Sequence, residues 1–361
     1  MTAVSYDVST PSATRTVVAT FADRRRTIVG PVGDLVWIYG SPIWALGLVH
    51  LLLAVPFLNR EVIIGEPTSI VVFLLAAITF AHLLPVFVRS HMNRKILASY
   101  RWRLLVVPPV LIATITIWPP ALIVAGVIAA FWDVYHTAQQ NFGLGRIYDA
   151  RAGVASEATR RADRLISHVL YLGPIMAGAS LFDHLDELKS LDGVGGWRLL
   201  AGTPDSVRPW TVALRWIVVA VMVVAVVLYV RHNLTLARRG VRSSPHKVAL
   251  MVISAVIQIA AWGLSSPIVA FMVVNLYHAV QYFALVWHIE GRTVAGQVGL
   301  RSRRVAVPFG LLAVFAVPAV FGLLESGWVT YPTFVGALFL SVSLLHFWMD
   351  GFIWSVRTNS V

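Results

Sequence analysis

The sequence predicts an all-α, polytopic transmembrane helical bundle of about ten spans with both termini cytoplasmic. Three observations carry that expectation. Of the 361 residues, 58 % are hydrophobic and only 13 % charged, with a mean hydropathy of +0.75. Soluble domains hold about 45–50 % apolar and about 25 % charged residues. Apolar stretches near the length of a membrane crossing recur along the chain. The basic residues between them collect on alternate sides.

Taken in order, residues 1–33 are polar, with Arg24, Arg25 and Arg26 in their second half. They lack the short apolar core and small-residue cleavage site of a signal peptide, so a retained cytoplasmic tail is expected, followed by a single transmembrane domain over 34–361. Apolar windows place spans at 35–58, 68–89, 104–117, 120–142, 165–182, 210–230, 247–264, 267–288, 305–324 and 331–355. Only Trp118, Pro119 and Pro120 divide the third from the fourth, so that pair is either two spans or one kinked or re-entrant element. The Asp- and Gly-rich stretch 183–208 is the longest outer loop and can form a small cap.

Loop charge tests this order. Segments expected on the inner side hold 24 of the 29 Lys and Arg; the outer loops hold Arg60, Lys189, Arg198 and Arg208, and Arg215 falls within a span. Eight of the 17 acids, including Asp183, Asp186, Glu187, Asp192 and Asp205, lie outside. An integral protein of a bacterial inner membrane, in contact with membrane lipids, is therefore expected. The net charge of +12 does not imply nucleic acid, because nucleic-acid readers carry a continuous basic face and these charges are divided among short loops. With no cysteine, disulfides, iron–sulfur clusters and thiolate metal sites are excluded, which leaves His, Asp, Glu, Asn and Gln as ligands.

Four histidines give the chain its chemistry. His82, His136, His346 and His278 stand 7, 10, 11 and 14 residues before Arg89, Arg146, Arg357 and Arg292, on four spans running the same way. At about 1.5 Å per residue these offsets differ by about 10 Å, which puts the imidazoles at a common depth in the cytoplasmic half of the membrane. Asp133, His136 and Gln140 share a helix face at i, i+3 and i+7, beside Trp132 and Tyr135. Asn275, His278 and Gln281 follow at successive i, i+3 spacings, with Tyr282 and His288 beyond. His346 and Asp350 are i and i+4, close enough for both to reach one ion.

A carboxylate near mid-membrane costs roughly 2.5–3.5 kcal/mol, so Asp133 and Asp350 each need a positive partner. The bland alternatives are an Asp133–His136 hydrogen bond and an Asp350–Arg357 ion pair. A metal ion is the simplest partner for both. The expected ligands are His82, Asp133, His136, His278, His346 and Asp350, with His91, His168 and His288 as further candidates. Pro85 can kink its helix and bring His91 toward His82, while His288 sits where an interfacial histidine snorkels. Trp348 and Trp354 fit an interfacial aromatic belt. Gly143 and Gly145, before Arg146, read as a helix end, since no strand precedes them to make a phosphate loop.

In this pattern of scattered intramembrane histidines the chain resembles the histidine-rich integral-membrane non-haem iron oxygenases and desaturases, although their HxxxH and HxxHH boxes are absent. The His346-Phe347-Trp348-Met349-Asp350 turn is also similar to HxxxD-like turns of intramembrane carotenoid-cleaving oxygenases. The resemblance implies one or two irons that use dioxygen on an apolar or lipid-like substrate from the bilayer. Manganese, zinc or copper also suit a sulfur-free site of imidazole and carboxylate. Gln140 and Gln281 would then orient ligands or oxygen species, and Tyr135, Tyr282, Trp132 and Phe347 would line the pocket. The chain carries no flavin or nicotinamide fingerprint, so a separate electron donor on the basic cytoplasmic face is expected. Two alternatives stand beside this one: a metal-ion or proton-coupled transporter, with helix breaks at Pro119-Pro120 and Ser265-Ser266-Pro267, and a bis-histidine haem protein.

Overall fold

A computed structural model describes residues 21–64, 66–178, 185–193, 198–291, 303–327 and 333–354. Most of the expected tail, and Asp183, His184, Arg292 and Arg357 with the pairing considered for the last, lie outside the described residues. Among the described residues, eight helices are long and apolar enough to cross a membrane, or nine if one bent pair is a single span. The chain is thus an integral membrane protein built on helices.

The bent pair is α1 (Pro31–Ile38) and α2 (Ser41–Ala54), which meet at 44°. A short antiparallel hairpin follows, β1 (Glu61–Ile64) on β2 (Glu66–Ser69), with Glu61 opposite Ser69. The all-α expectation holds for the bundle, and this hairpin is a local exception: Val62, Ile63 and Ile64 form a β-branched run too short to register as a strand in an apolar chain. Ser69 then caps α3 (Ile70–Ala81) by accepting from the Val72 amide. Pro85 opens α4 (Pro85–His91), and Asn93 caps α5 (Arg94–Ile117).

Trp118 settles the question left open between the third and fourth stretches. Pro119 pushes it out of the helical region to φ −115°, ψ 95°, so α6 (Pro119–Arg151) is a separate helix beginning with two prolines whose missing amides need no partner. It does not stop at Gly143 and Gly145 but continues to Arg151. A Cβ on Gly145 would lie 3.1 Å from Cγ of Lys247, so that glycine makes room for a neighbouring side chain instead of ending the helix.

The helix α7 (Glu157–Ala177), capped by Ser156, starts with the charged residues Glu157, Arg160, Arg161, Asp163 and Arg164. Among the described residues it is not long and apolar enough to count as a span, and residues 179–182 of the span expected over 165–182 lie outside the described residues. Short helical turns at Glu187–Gly193 and Thr203–Val207 occupy part of the expected cap. The remaining long helices are α8 (Thr211–Arg238), α9 (Pro245–Leu264), α10 (Pro267–Glu290), α11 (Ala306–Ser326) and α12 (Thr333–Ile353). The helix α10 is the axle of the bundle, with two thirds of its apolar window buried, whereas α8 turns nearly all of its apolar surface outward. Gly322 lets α11 approach α3 so closely that a Cβ there would fall 2.8 Å from the Ala81 amide nitrogen.

Several charges read as loop markers are instead buried within helices. Lys247 donates to Asp149 at 2.8 Å and to Asp163 at 3.0 Å, joining α9, α6 and α7, and Tyr229 of α8 donates to Asp163 at 2.8 Å. Arg89 pairs with Glu290, and Asn93 donates to the same carboxylate. Asp34 in α1 accepts from the amides of Ile28 and Val29 and from the Tyr148 hydroxyl. These networks fasten the basic end of the bundle.

Candidate metal centre

Four helices converge on one point. His82 terminates α3, His136 sits in the middle of α6, His278 at the centre of α10 and His346 on α12, and all four are at most 4 % exposed. The ring of His82 lies 4.8 Å from that of His278 and 5.0 Å from that of His346, and the ring of His136 lies 5.3 Å and 4.8 Å from the same two. One nitrogen each from His82, His278 and His346 falls within 4.8 Å of the others, as do ligand atoms of His136, His346 and Asp350.

Hydrogen bonding sets which nitrogens face inward. The break between α3 and α4 is a tight turn: Pro85 brings no amide, and the Phe87 amide bonds Leu84. The Leu83 carbonyl is left to accept from Nδ1–H of His346 at 3.2 Å. Nδ1–H of His82 donates to the Thr79 carbonyl. Both rings thereby present Nε2 as a bare lone pair, the arrangement of a metal-ligating histidine held by a carbonyl. Nε2 of His346 is 3.1 Å from Nε2 of His136. Two nitrogens on one ion, with bonds of about 2.1 Å, stand about 3.0–3.4 Å apart.

Nε2 of His82 and both ring nitrogens of His278 are buried without any hydrogen-bond partner. Three orphaned nitrogens in one apolar cluster cost about 1–3 kcal/mol each unless something receives them. A cation bound among them receives Nε2 of His82 and one nitrogen of His278 and removes that part of the penalty, so the donor set fits a metal. On the other flank, Oδ2 of Asp350 lies 3.7 Å from Nε2 of both His136 and His346. Its Oδ1 accepts from the Tyr282 hydroxyl and the Trp354 indole, each at 2.9 Å.

Other expected residues fall elsewhere. Asp133, three residues before His136, is rotated away from the cluster and lines a separate cavity of about 360 Å³ with His82 and Asn275. His91 is held by Ser90 at 2.8 Å and the Leu104 carbonyl at 3.0 Å, because the turn at Pro85 does not bring it back toward His82. His168 bonds Gln139 and the Arg164 carbonyl and stacks near Tyr135, while His288 is exposed at the end of α10. Gln281 is spent on packing: it donates to the Ile38 carbonyl at 2.7 Å and accepts from Gln140 at 3.1 Å. Gln140 and the exposed Tyr135 line a larger cavity of about 710 Å³ that reaches His136, Asp350 and Tyr282. Phe347, 4.9 Å from the ring of His136, stands between the two cavities and lines both.

Trp354 belongs to the site and not merely to an interfacial belt; its i+4 spacing from Asp350 was the available signal. Tyr282 and Trp354 together orient Asp350. Replacing Tyr282 by Phe is expected to weaken metal binding by about 10–100-fold with the helices intact, as measured by metal titration of purified protein. No protein-family model, curated protein or solved structure matches the chain.

Proposed function

We propose that the chain is a membrane-embedded, metal-dependent oxidase or oxygenase whose non-haem iron is held by His82, His136, His278, His346 and Asp350. The observation that carries this reading is the meeting of partnerless imidazole nitrogens from separate helices beside an oriented carboxylate. Nδ1 of His346 is already engaged, so its single open lone pair serves both groupings, and one ion is simpler than two. Iron fits a sulfur-free site of this kind, with manganese, zinc or copper as substitutes. When bound, iron supplies redox chemistry with dioxygen. The chain's own residues bind the ion, hold Asp350 in place and keep water out with Trp132 and Phe347. A cytoplasmic location of the basic end of the bundle, where Arg89 and Lys247 are paired, would place the centre in the inner half of the bilayer. An apolar substrate then enters from lipid, and an electron donor meets the basic face.

Four imidazoles whose ring centres lie 4.8–5.3 Å apart leave no room for a macrocycle between them, which favours an ion over a haem. One observation favours a transporter: cavities reach the cluster at His136 and at His82, and a carboxylate lines each. The test is iron analysis of detergent-purified protein with dioxygen uptake after iron(II) loading. One iron per chain and uptake that disappears in His136→Ala are expected. Absence of iron, or equal uptake by both proteins, would overturn the proposal. Reconstituted vesicles that accumulate iron would move the assignment to transport.

A further inference from the structure

The cavity of about 710 Å³ has chemically different ends. Its deep end is His136, Asp350 and Tyr282, and its walls are aromatic, including Trp132, Phe347 and Phe352. At the other end stand three arginines: Arg146 from α6, and Arg160 and Arg164 from the first turns of α7. Two are already committed to carboxylates, Arg146 to Asp149 and Asp163 at 3.5 Å and Arg160 to Glu157 at 2.9 Å. Arg164 has no carboxylate within ion-pair distance among the described residues and instead lies over the Phe142 ring at 5.2 Å. A cation over a ring face is held by the ring's charge distribution, which makes no demand on its N–H groups.

A guanidinium at the rim of an apolar chamber calls for an anion attached to something apolar. A planar, permanently charged fork is suited to a carboxylate or a phosphate. Along α6, the ten residues from His136 to Arg146 span about 15 Å, which an extended hydrocarbon chain bridges readily. The volume lies within the roughly 300–1,000 Å³ of small-molecule sites, room for one chain and its head.

We infer that this cavity binds a single-chain anionic amphiphile, its head on Arg164 at the rim and its apolar chain directed toward His136 and Asp350. The inference rests on the proposed centre only for its catalytic meaning; binding is independent of the metal. Selectivity would follow from the charge at the rim, and chain position from the aromatic walls.

The experiment measures binding of dodecanoate, dodecyl phosphate, dodecanol, dodecyltrimethylammonium and inorganic phosphate to the full chain in phosphatidylcholine nanodiscs, with iron content determined on the same samples. Both anionic amphiphiles are expected to bind at least about tenfold more tightly than dodecanol, and inorganic phosphate not to compete. Arg164→Gln is expected to abolish that preference while leaving dodecanol binding and iron content unchanged. Equal affinity for dodecanoate and dodecanol, competition by inorganic phosphate, or an unaltered preference in Arg164→Gln would overturn the inference. Charge-selective binding in protein that takes up no iron would sink the metal proposal alone. Loss of selectivity in protein that holds iron would sink the amphiphile alone.

Discussion

Replacing His278 by Leu is expected to lower metal affinity by at least about 100-fold and to remove any chelator sensitivity from the thermal melt. Both nitrogens of His278 are buried without partners. Without a cation they are a standing penalty, and an apolar side chain of similar size would relieve it and raise the melting temperature. With a cation, one of them is a ligand and the same substitution removes part of the holoprotein's stability. The two readings thus differ in sign, not merely in size. Melting curves of wild type and His278→Leu, each with and without chelator, decide between them. A wild type that ignores chelator and melts below the variant would make the histidines packing residues.

The second large effect concerns the fold. Lys247→Met is expected to destabilise the protein by about 3–5 kcal/mol, because it leaves the buried carboxylates of Asp149 and Asp163 facing each other without their ammonium. Both acids and Lys247 are at most 2 % exposed. Arg146, 3.5 Å from each acid, offsets part of the loss, which places the expected value near the lower end. Adding Asp149→Asn and Asp163→Asn to Lys247→Met should recover most of it, since neutral amides tolerate burial better than unpaired charges. Unfolding in mixed micelles is the measurement. A triple variant no more stable than the single one would show that lost packing of the lysine stem dominates.

The four central histidines were legible because depth and helix direction follow from loop charge, and those two quantities suffice to bring residues on separate spans together. Asp350 was legible from its spacing to His346. Asp133 was not, because three residues on a helix leave neighbouring side chains about 60° apart around the axis, enough for one to face the cluster and the other a second cavity. Arg89 and Lys247 read as topological charges since their partners, Glu290 and Asp163, lie 201 and 84 residues away, beyond any local pattern. Gly143 and Gly145 read as a helix end when one of them accommodates a lysine stem contributed by α9. The orphaned nitrogens, which say most about function, exist only in three dimensions.

The turn at residues 82–84 ties mechanics to acid–base chemistry. Were α3 and α4 to straighten into one rod, the Leu83 oxygen would be reclaimed by the backbone of its own helix, and the proton on His346 would lose its seat. That ring would then be free to change tautomer and withdraw its ligating electron pair. The bend of one helix and the tautomer of a histidine on another are therefore linked through a single hydrogen bond, with Pro85 holding the pose in which Nε2 of His346 faces its neighbours.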